Sequence, residues 1–127
     1  MAGVTYDTGA LIAAERNDRQ MWALHAGFLA EEVAPVVPAP VLAEAWRGGP
    51  QQANLVRILA MCTVEWMTEE QARQVGVLAG RSGHDDVVDV TVVEGALRRG
   101  DAVVTSNREH FEKVGQAAGL TLHIADV

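Results

Sequence analysis

Short segments rich in valine, threonine and aromatic residues alternate with longer stretches whose apolar residues recur three and four positions apart. The first pattern is typical of buried strands and the second of helices. We predict strands at 4–6, 35–38, 63–66, 102–105 and 120–124, and helices at 9–16, 21–32, 41–47, 51–61, 69–79, 85–99 and 108–118, with a loop at 80–84. Strands that alternate with helices predict an α/β fold with a mainly parallel sheet of four to five strands and helices on both faces.

The segment 85–100 carries signals for both types of structure. Its valines favour a strand. Two aspartates near its start, Arg98 and Arg99 near its end and Gly100 just beyond favour a helix. We choose the helix, because about 16 residues are too many for an ordinary strand. Asp89 then lies within a largely apolar helix, where a carboxylate is costly unless it has a partner.

Composition predicts one soluble domain, residues 1–127. The chain is 49% hydrophobic, and no apolar run approaches the ~20 residues of a membrane span. We expect a cytoplasmic protein without membrane contact, since the amino terminus lacks the features of a secretion signal. Cys62 is interpreted as a core residue. The four histidines have no zinc-ligand spacing, so we interpret them as surface or capping groups.

A formal net charge of -7 argues against a surface that attracts nucleic acid in general. The negative charge is still compatible with a small acidic site that binds divalent cations and contacts phosphates through those cations. Asp7 follows the first strand, Glu44 lies in the helix after the second, and Asp89 precedes the fourth, which Asn107 follows. Asp7 alone could simply cap its helix. Because parallel strands end at one edge of a sheet, Asp7 and Asn107 are candidates for one site there.

Four segments together resemble a known family. Residues 6–13, 40–44, 88–93 and 103–107 are similar, in order, to the signature segments of PIN-domain nucleases, and most of all to the VapC-type ribonuclease toxins of type II toxin-antitoxin systems. The likeness extends from Val4 to Ile124. It implies a PIN-like domain that is a metal-dependent endoribonuclease, hydrolyses RNA phosphodiester bonds, forms a homodimer and is silenced by a cognate antitoxin.

The resemblance also implies a site. Asp7, Glu44 and Asp89 would hold Mg²⁺ or Mn²⁺ and, with Asn107, carry catalysis. The family often has an aspartate at the last position, and an amide brings no charge, so the number of metal ions, one or two, stays open.

Further residues have roles that the resemblance implies beside the metal ligands. The hydroxyls of Thr8 and Thr105 would orient carboxylates. Asp86 is either a substitute ligand or a helix cap, of which we favour the cap. Arg16 would contact RNA or an acidic partner, unless it only complements the end of its helix.

Two alternatives come from other classes of protein. A non-catalytic PIN-like interaction domain would use Trp22, Trp46 and Trp66 for partner contact, although tryptophans at such spacing are more typical of a core. An Asp-based phosphotransfer domain of receiver or haloacid-dehalogenase type also has an aspartate after its first strand. The second type needs another aspartate where Gly9 stands, and the first needs a lysine after a late strand, where Lys113 is poorly placed.

Overall fold

The computed structural model describes residues 3–119 and 122–127, which form five strands and seven α-helices. In chain order these elements are β1 (Val4–Tyr6), α1 (Thr8–Glu15), α2 (Arg19–Ala30), β2 (Val36–Pro38), α3 (Ala39–Ala45), α4 (Ala53–Leu59), β3 (Thr63–Glu65), α5 (Glu69–Ser82), α6 (Val87–Arg99), β4 (Ala102–Thr105), α7 (Arg108–Ala117) and β5 (His123–Asp126). A short 3-10 turn, Pro50–Gln52, precedes α4. Within these ranges no helix is long and apolar enough to cross a lipid bilayer.

The five strands form one all-parallel sheet in the order β3-β2-β1-β4-β5, which confirms the predicted α/β class. The chain moves outward from β1 to β3 and then returns to place β4 on the other side of β1. The order therefore reverses between β1 and β4, and ligands of open α/β sheets bind at the carboxyl ends of the strands at such a point. Tyr6 is in register with Val104, so the residues that follow these two strands are neighbours.

Both faces of the sheet are covered, as predicted. On one face the Tyr6 ring packs against His25 and Phe28 of α2. On the other face the Thr5 hydroxyl contacts Arg99, at the end of α6. Three of the five valines of α6, Val90, Val92 and Val93, are fully buried in the core, and their burial offsets the low helix propensity of valine.

Several predicted boundaries are wrong. The loop predicted at 80–84 is largely helical, because α5 continues to Ser82 and ends only at Gly83, whose φ of 65° is the left-handed conformation that terminates helices. Helix α6 begins at Val87, after Asp86. In the last predicted strand, residues 120 and 121 lie outside the described ranges, and β5 runs from His123 to Asp126.

Two predictions about side chains, for His25 and for the tryptophans, also need correction, and the prediction for Cys62 holds in part. His25 is a buried core residue whose ring bonds the Tyr6 hydroxyl at 2.8 Å. Trp46 and Trp66 are 44% and 75% exposed, so they are not core residues. Cys62 lies half-buried beyond α4 and packs against the core. Burial raises the pKa of its thiol to about 12, as expected of a packing residue rather than a nucleophile.

Candidate metal centre

Asp7 is fixed at the carboxyl end of β1, beside the end of β4. One carboxylate oxygen accepts a hydrogen bond from the Ala10 backbone N–H at 2.9 Å, which caps α1. The other accepts from the Thr105 hydroxyl at 2.5 Å. The Asp7 side chain is thus both a cap and a member of the strand-end site, and only 5% of the residue is exposed.

Burial raises the pKa of Asp7 to about 6. The hydrogen bonds from Thr105 and Ala10 lower the pKa and only partly offset burial, whereas the charge of Asp89 raises it further. Asp7 and Asp89, which come from β1 and α6, are therefore close enough to repel one another. A bound cation would relieve both the desolvation and the repulsion.

Asp89 lies in the first turn of α6 and is half-buried. Its carboxylate accepts a hydrogen bond from His84 Nε2 at 3.1 Å. Burial raises the pKa of Asp89, while His84 and His110 oppose that shift. Asp86, just before the helix, accepts hydrogen bonds from the backbone N–H groups of Val88 and Asp89, so it acts as the helix cap.

Glu44 joins the site through a threonine. The Thr8 hydroxyl donates to Glu44 Oε1 at 2.5 Å, and Thr8 is the residue that follows Asp7. Glu44 is exposed on α3, a helix that contacts both α1 and α6. Glu44 is therefore linked to the first residue of α1, one position after Asp7, and it remains exposed to solvent.

Asn107 connects the end of β4 to a histidine. Its backbone N–H donates to Thr105 Oγ1 at 2.9 Å, and its side-chain amide lies 3.0 Å from His110 Nδ1. The side chain makes no capping hydrogen bond to α7, although Asn107 occupies the cap position of that helix. The Asn107 amide therefore does not make the hydrogen bond to the helix backbone that an asparagine at a cap position usually makes.

Arg16 lies at the far end of α1 and is exposed. It shares a cleft with Gly9 and Ser106, two residues that adjoin Asp7. A Cβ at Gly9 would lie 2.3 Å from Ser106 Oγ and 3.3 Å from Asp7 Oδ1, so a glycine permits the close approach of α1 to this loop. The cleft therefore lies beside residues that adjoin Asp7, and both Arg16 and Asp18 line it.

Sequence reasoning missed His84 and His110. These rings stack edge to face with centroids 5.4 Å apart, and a nitrogen of each approaches the same oxygen of Asp89. No short spacing links the two histidines to each other, so only the packing of α7 against α6 reveals them. The expectation of a surface group holds for the exposed His110, whereas the His84 side chain is only 14% exposed and bonds Asp89.

No family model and no curated protein matches the sequence. Solved structures do match over nearly the whole chain. VapBC2 from Rickettsia felis, bound to a DNA fragment from its promoter, matches with a TM-score of 0.74 at 15% identity over 98% of both chains. The chain has a PIN-like fold.

Two further structures with this fold match at similar levels. DNA-bound VapBC from Salmonella typhimurium has a TM-score of 0.72 at 19% identity, covering 99% of this chain and 98% of that one. A protein from Pyrobaculum aerophilum has a TM-score of 0.67 at 17% identity, covering 99% of this chain and 84% of that one. The PIN-like strand order, β3-β2-β1-β4-β5, differs from the 2-1-3-4-5 order of flavodoxin-like domains such as receivers.

Proposed function

We propose that this chain is a metal-dependent endoribonuclease, the VapC-type toxin of a toxin-antitoxin pair, which hydrolyses RNA phosphodiester bonds. The observation that carries the proposal is the convergence of Asp7 and Asp89 at the strand-order reversal of a PIN-like fold, with threonine hydroxyls holding Asp7 and Glu44. The proposal takes residues 1–127 as one nuclease domain.

The donor set fits a hard divalent cation. Asp7, Glu44 and Asp89 offer carboxylate oxygens, the ligands that Mg²⁺ and Mn²⁺ take. The pKa of Asp7 is raised mainly by burial and in smaller part by the charge of Asp89, and a cation would offset both effects. When bound, such an ion lowers the pKa of water and neutralises charge on a phosphate.

The residues around these ligands have separate tasks. Thr105 and Thr8 fix the directions of the Asp7 and Glu44 carboxylates, so that the ligands are preorganised. Asn107 contributes a neutral amide, which leaves the site less negative than a fourth carboxylate would. Arg16, at the other end of the adjoining cleft, offers a fork of donors suited to a phosphate of the RNA backbone.

An antitoxin partner follows from the neighbours, two of which are VapBC complexes. A surface for a partner is present where Leu42, Trp46, Leu59 and Val64 line an exposed apolar groove. We further propose that the toxin is a homodimer and works in the cytoplasm, where its RNA substrate is found.

The test of the proposed activity is cleavage of total RNA by purified, antitoxin-free protein. We expect discrete fragments with Mg²⁺ or Mn²⁺, none with EDTA, and recovery when metal is returned. Asp7→Asn should abolish the fragments without loss of fold. Activity that persists in EDTA, or that Asp7→Asn retains, would show that another centre or a contaminant cuts the RNA.

The exposed Trp46 and Trp66 favour a second candidate, a non-catalytic PIN-like interaction domain. Such a module has no need of a metal. Isothermal titration with Mn²⁺ separates the two functions, since saturable binding that Asp7→Asn weakens supports the nuclease, whereas no binding and no cleavage supports the interaction domain.

A further inference from the structure

We propose that His84, Asp89 and His110 form a binding site for Zn²⁺ or a neighbouring first-row transition-metal ion. One ligand atom from each residue lies within 4.8 Å of the other two. The three come from different places in the chain: His84 follows the left-handed Gly83 after α5, Asp89 lies in the first turn of α6, and His110 lies in the first turn of α7.

The distances suit coordination after a small movement. His84 Nε2 lies 3.1 Å from Asp89 Oδ2, and His110 Nδ1 lies 3.9 Å from the same oxygen. Two ligands on one Zn²⁺ are about 3.3 Å apart, given metal-ligand distances of about 2.0–2.1 Å and tetrahedral angles. An ion can therefore take the place of the proton between His84 and Asp89, with the ring proton of His84 on Nδ1. His110 has to move by less than about 1 Å relative to Asp89.

One side of the site is fixed and the other is open. The His84 side chain is 14% exposed, and its backbone N–H is anchored to the Ser82 hydroxyl at 3.2 Å. The His110 side chain is 53% exposed, which gives an ion a route of entry and leaves a coordination position for water. Two histidines, one carboxylate and one open position make up a ligand set known from catalytic zinc sites.

The ligand chemistry distinguishes this site from the carboxylate site. Imidazole nitrogens suit zinc and its first-row neighbours, whereas Mg²⁺ prefers oxygen. The Asn107 amide stands 3.0 Å from His110 Nδ1. If His110 Nδ1 binds an ion, rotation of the Asn107 amide by half a turn replaces its NH₂ group with the carbonyl oxygen, an additional donor.

Asp89 belongs to both sites, and this has a consequence that rests on the proposed function. Zn²⁺ held by the two histidines occupies Asp89 and removes it from the Asp7 and Glu44 set. Zinc should therefore inhibit RNA cleavage in the presence of Mg²⁺. Binding itself does not depend on the nuclease activity.

The experiment measures binding without RNA. Metal-free full-length protein is titrated with Zn²⁺ by calorimetry in excess Mg²⁺, and with Co²⁺ while its visible absorption bands are recorded. We expect saturable binding of one ion per chain, which His84→Asn and His110→Asn each weaken about tenfold or more. His123→Asn, an exposed histidine on β5, is the matched control and should bind as the parent does.

Circular dichroism confirms that each variant is folded. Asp7→Asn, which should lose cleavage, is expected to keep Zn²⁺ binding, so failure of the proposed nuclease function and failure of the zinc site give different results. Equal affinity in the parent, His84→Asn and His110→Asn would overturn the proposal, as would the absence of saturable Zn²⁺ and Co²⁺ binding by the folded parent.

Discussion

At the scale of single residues, Asp7 is held by two hydrogen bonds and yet is unfavourable as a buried anion. Its pKa rises from 3.8 to about 6 on folding, so the folded protein binds this proton more tightly than the unfolded chain does. The resulting stabilisation is complete below about pH 4 and is lost as the pH rises through 6. At neutral pH the Asp7 anion therefore costs stability in the metal-free protein.

Asp7→Asn tests this balance, because an asparagine oxygen can still accept one of the hydrogen bonds without bringing charge. At pH 7 without divalent ions, we expect the free energy of unfolding of the variant to be about 2 kcal/mol higher than that of the parent. Below about pH 4 this difference in free energy should disappear. Urea denaturation at both pH values measures the free energy of unfolding, with Asp85→Asn as the control at an exposed position. A variant less stable than the parent at pH 7 would refute this account of Asp7.

Sequence alone singled out the acids and passed over the histidines. Asp7 was singled out by its place after a strand together with the positions of the other acids, and Asp89 because an acid inside an apolar helix is costly without a partner. His84 and His110 carry no such local signal, since each is an ordinary polar residue in its own segment. Their contact depends on how α7 packs against α6, which a linear pattern does not contain.

At the scale of elements, α6 depends on its cap. The Asp86 carboxylate accepts from two backbone N–H groups of the first turn, at 3.0 and 3.3 Å. Asp86→Ala should lower the free energy of unfolding by about 1 kcal/mol. Asp85→Ala, one residue earlier and exposed, should change it by less than about 0.5 kcal/mol. Thermal unfolding of both variants checks this, and equal losses would show that the cap is not the cause.

A buried ion pair joins the end of α6 to the sheet. Arg99 Nε bonds Asp101 at 2.9 Å, Arg99 Nη2 bonds the Thr5 hydroxyl at 2.8 Å, and that hydroxyl donates to Asp101 at 2.8 Å. Arg99→Met leaves the 5% exposed Asp101 side chain without its cation. We expect a loss of about 3 kcal/mol in the free energy of unfolding.

Arg98→Met is the matched control, because the Arg98 side chain is more exposed and its pairs with Glu65 and Glu94 lie nearer to solvent. Arg98→Met should lower the free energy of unfolding by less than about 1 kcal/mol. Chemical denaturation gives both values. If the two substitutions cost the same, the network of Arg99, Asp101 and Thr5 is not what anchors α6 to β1.

Element type was easier to predict than element ends. The prediction of a helix for α6 relied on the arginines and Gly100 at its end and not on the strand propensity of its valines. This prediction is confirmed, since Gly100 is left-handed, with φ 73°, and ends the helix. The same reasoning failed at Gly80, where α5 continues. A Cβ there would meet nothing within 4 Å, so the glycine lies on an uncrowded helix surface, and the packing of Val75 and Leu78 maintains the helix.

At the scale of the whole molecule, the alternation of strands and helices predicted a parallel sheet but left the strand order open. That order puts β1 next to β4 and so makes one site from residues at both ends of the chain. The negative net charge then has a local counterpart, because Asp7, at the end of β1, lies close enough to Asp89 of α6 for their charges to repel one another.

The most direct test of the central claim is the rate of RNA cleavage by two neighbouring variants at saturating Mg²⁺. Asp89→Asn removes a proposed ligand, whereas Asp85→Asn changes an exposed acid four residues earlier on the same segment. We predict that Asp89→Asn cuts at least about 100-fold more slowly than the parent and that Asp85→Asn cuts at the parent's rate. Equal rates for all three proteins would contradict a catalytic metal centre at the end of the sheet.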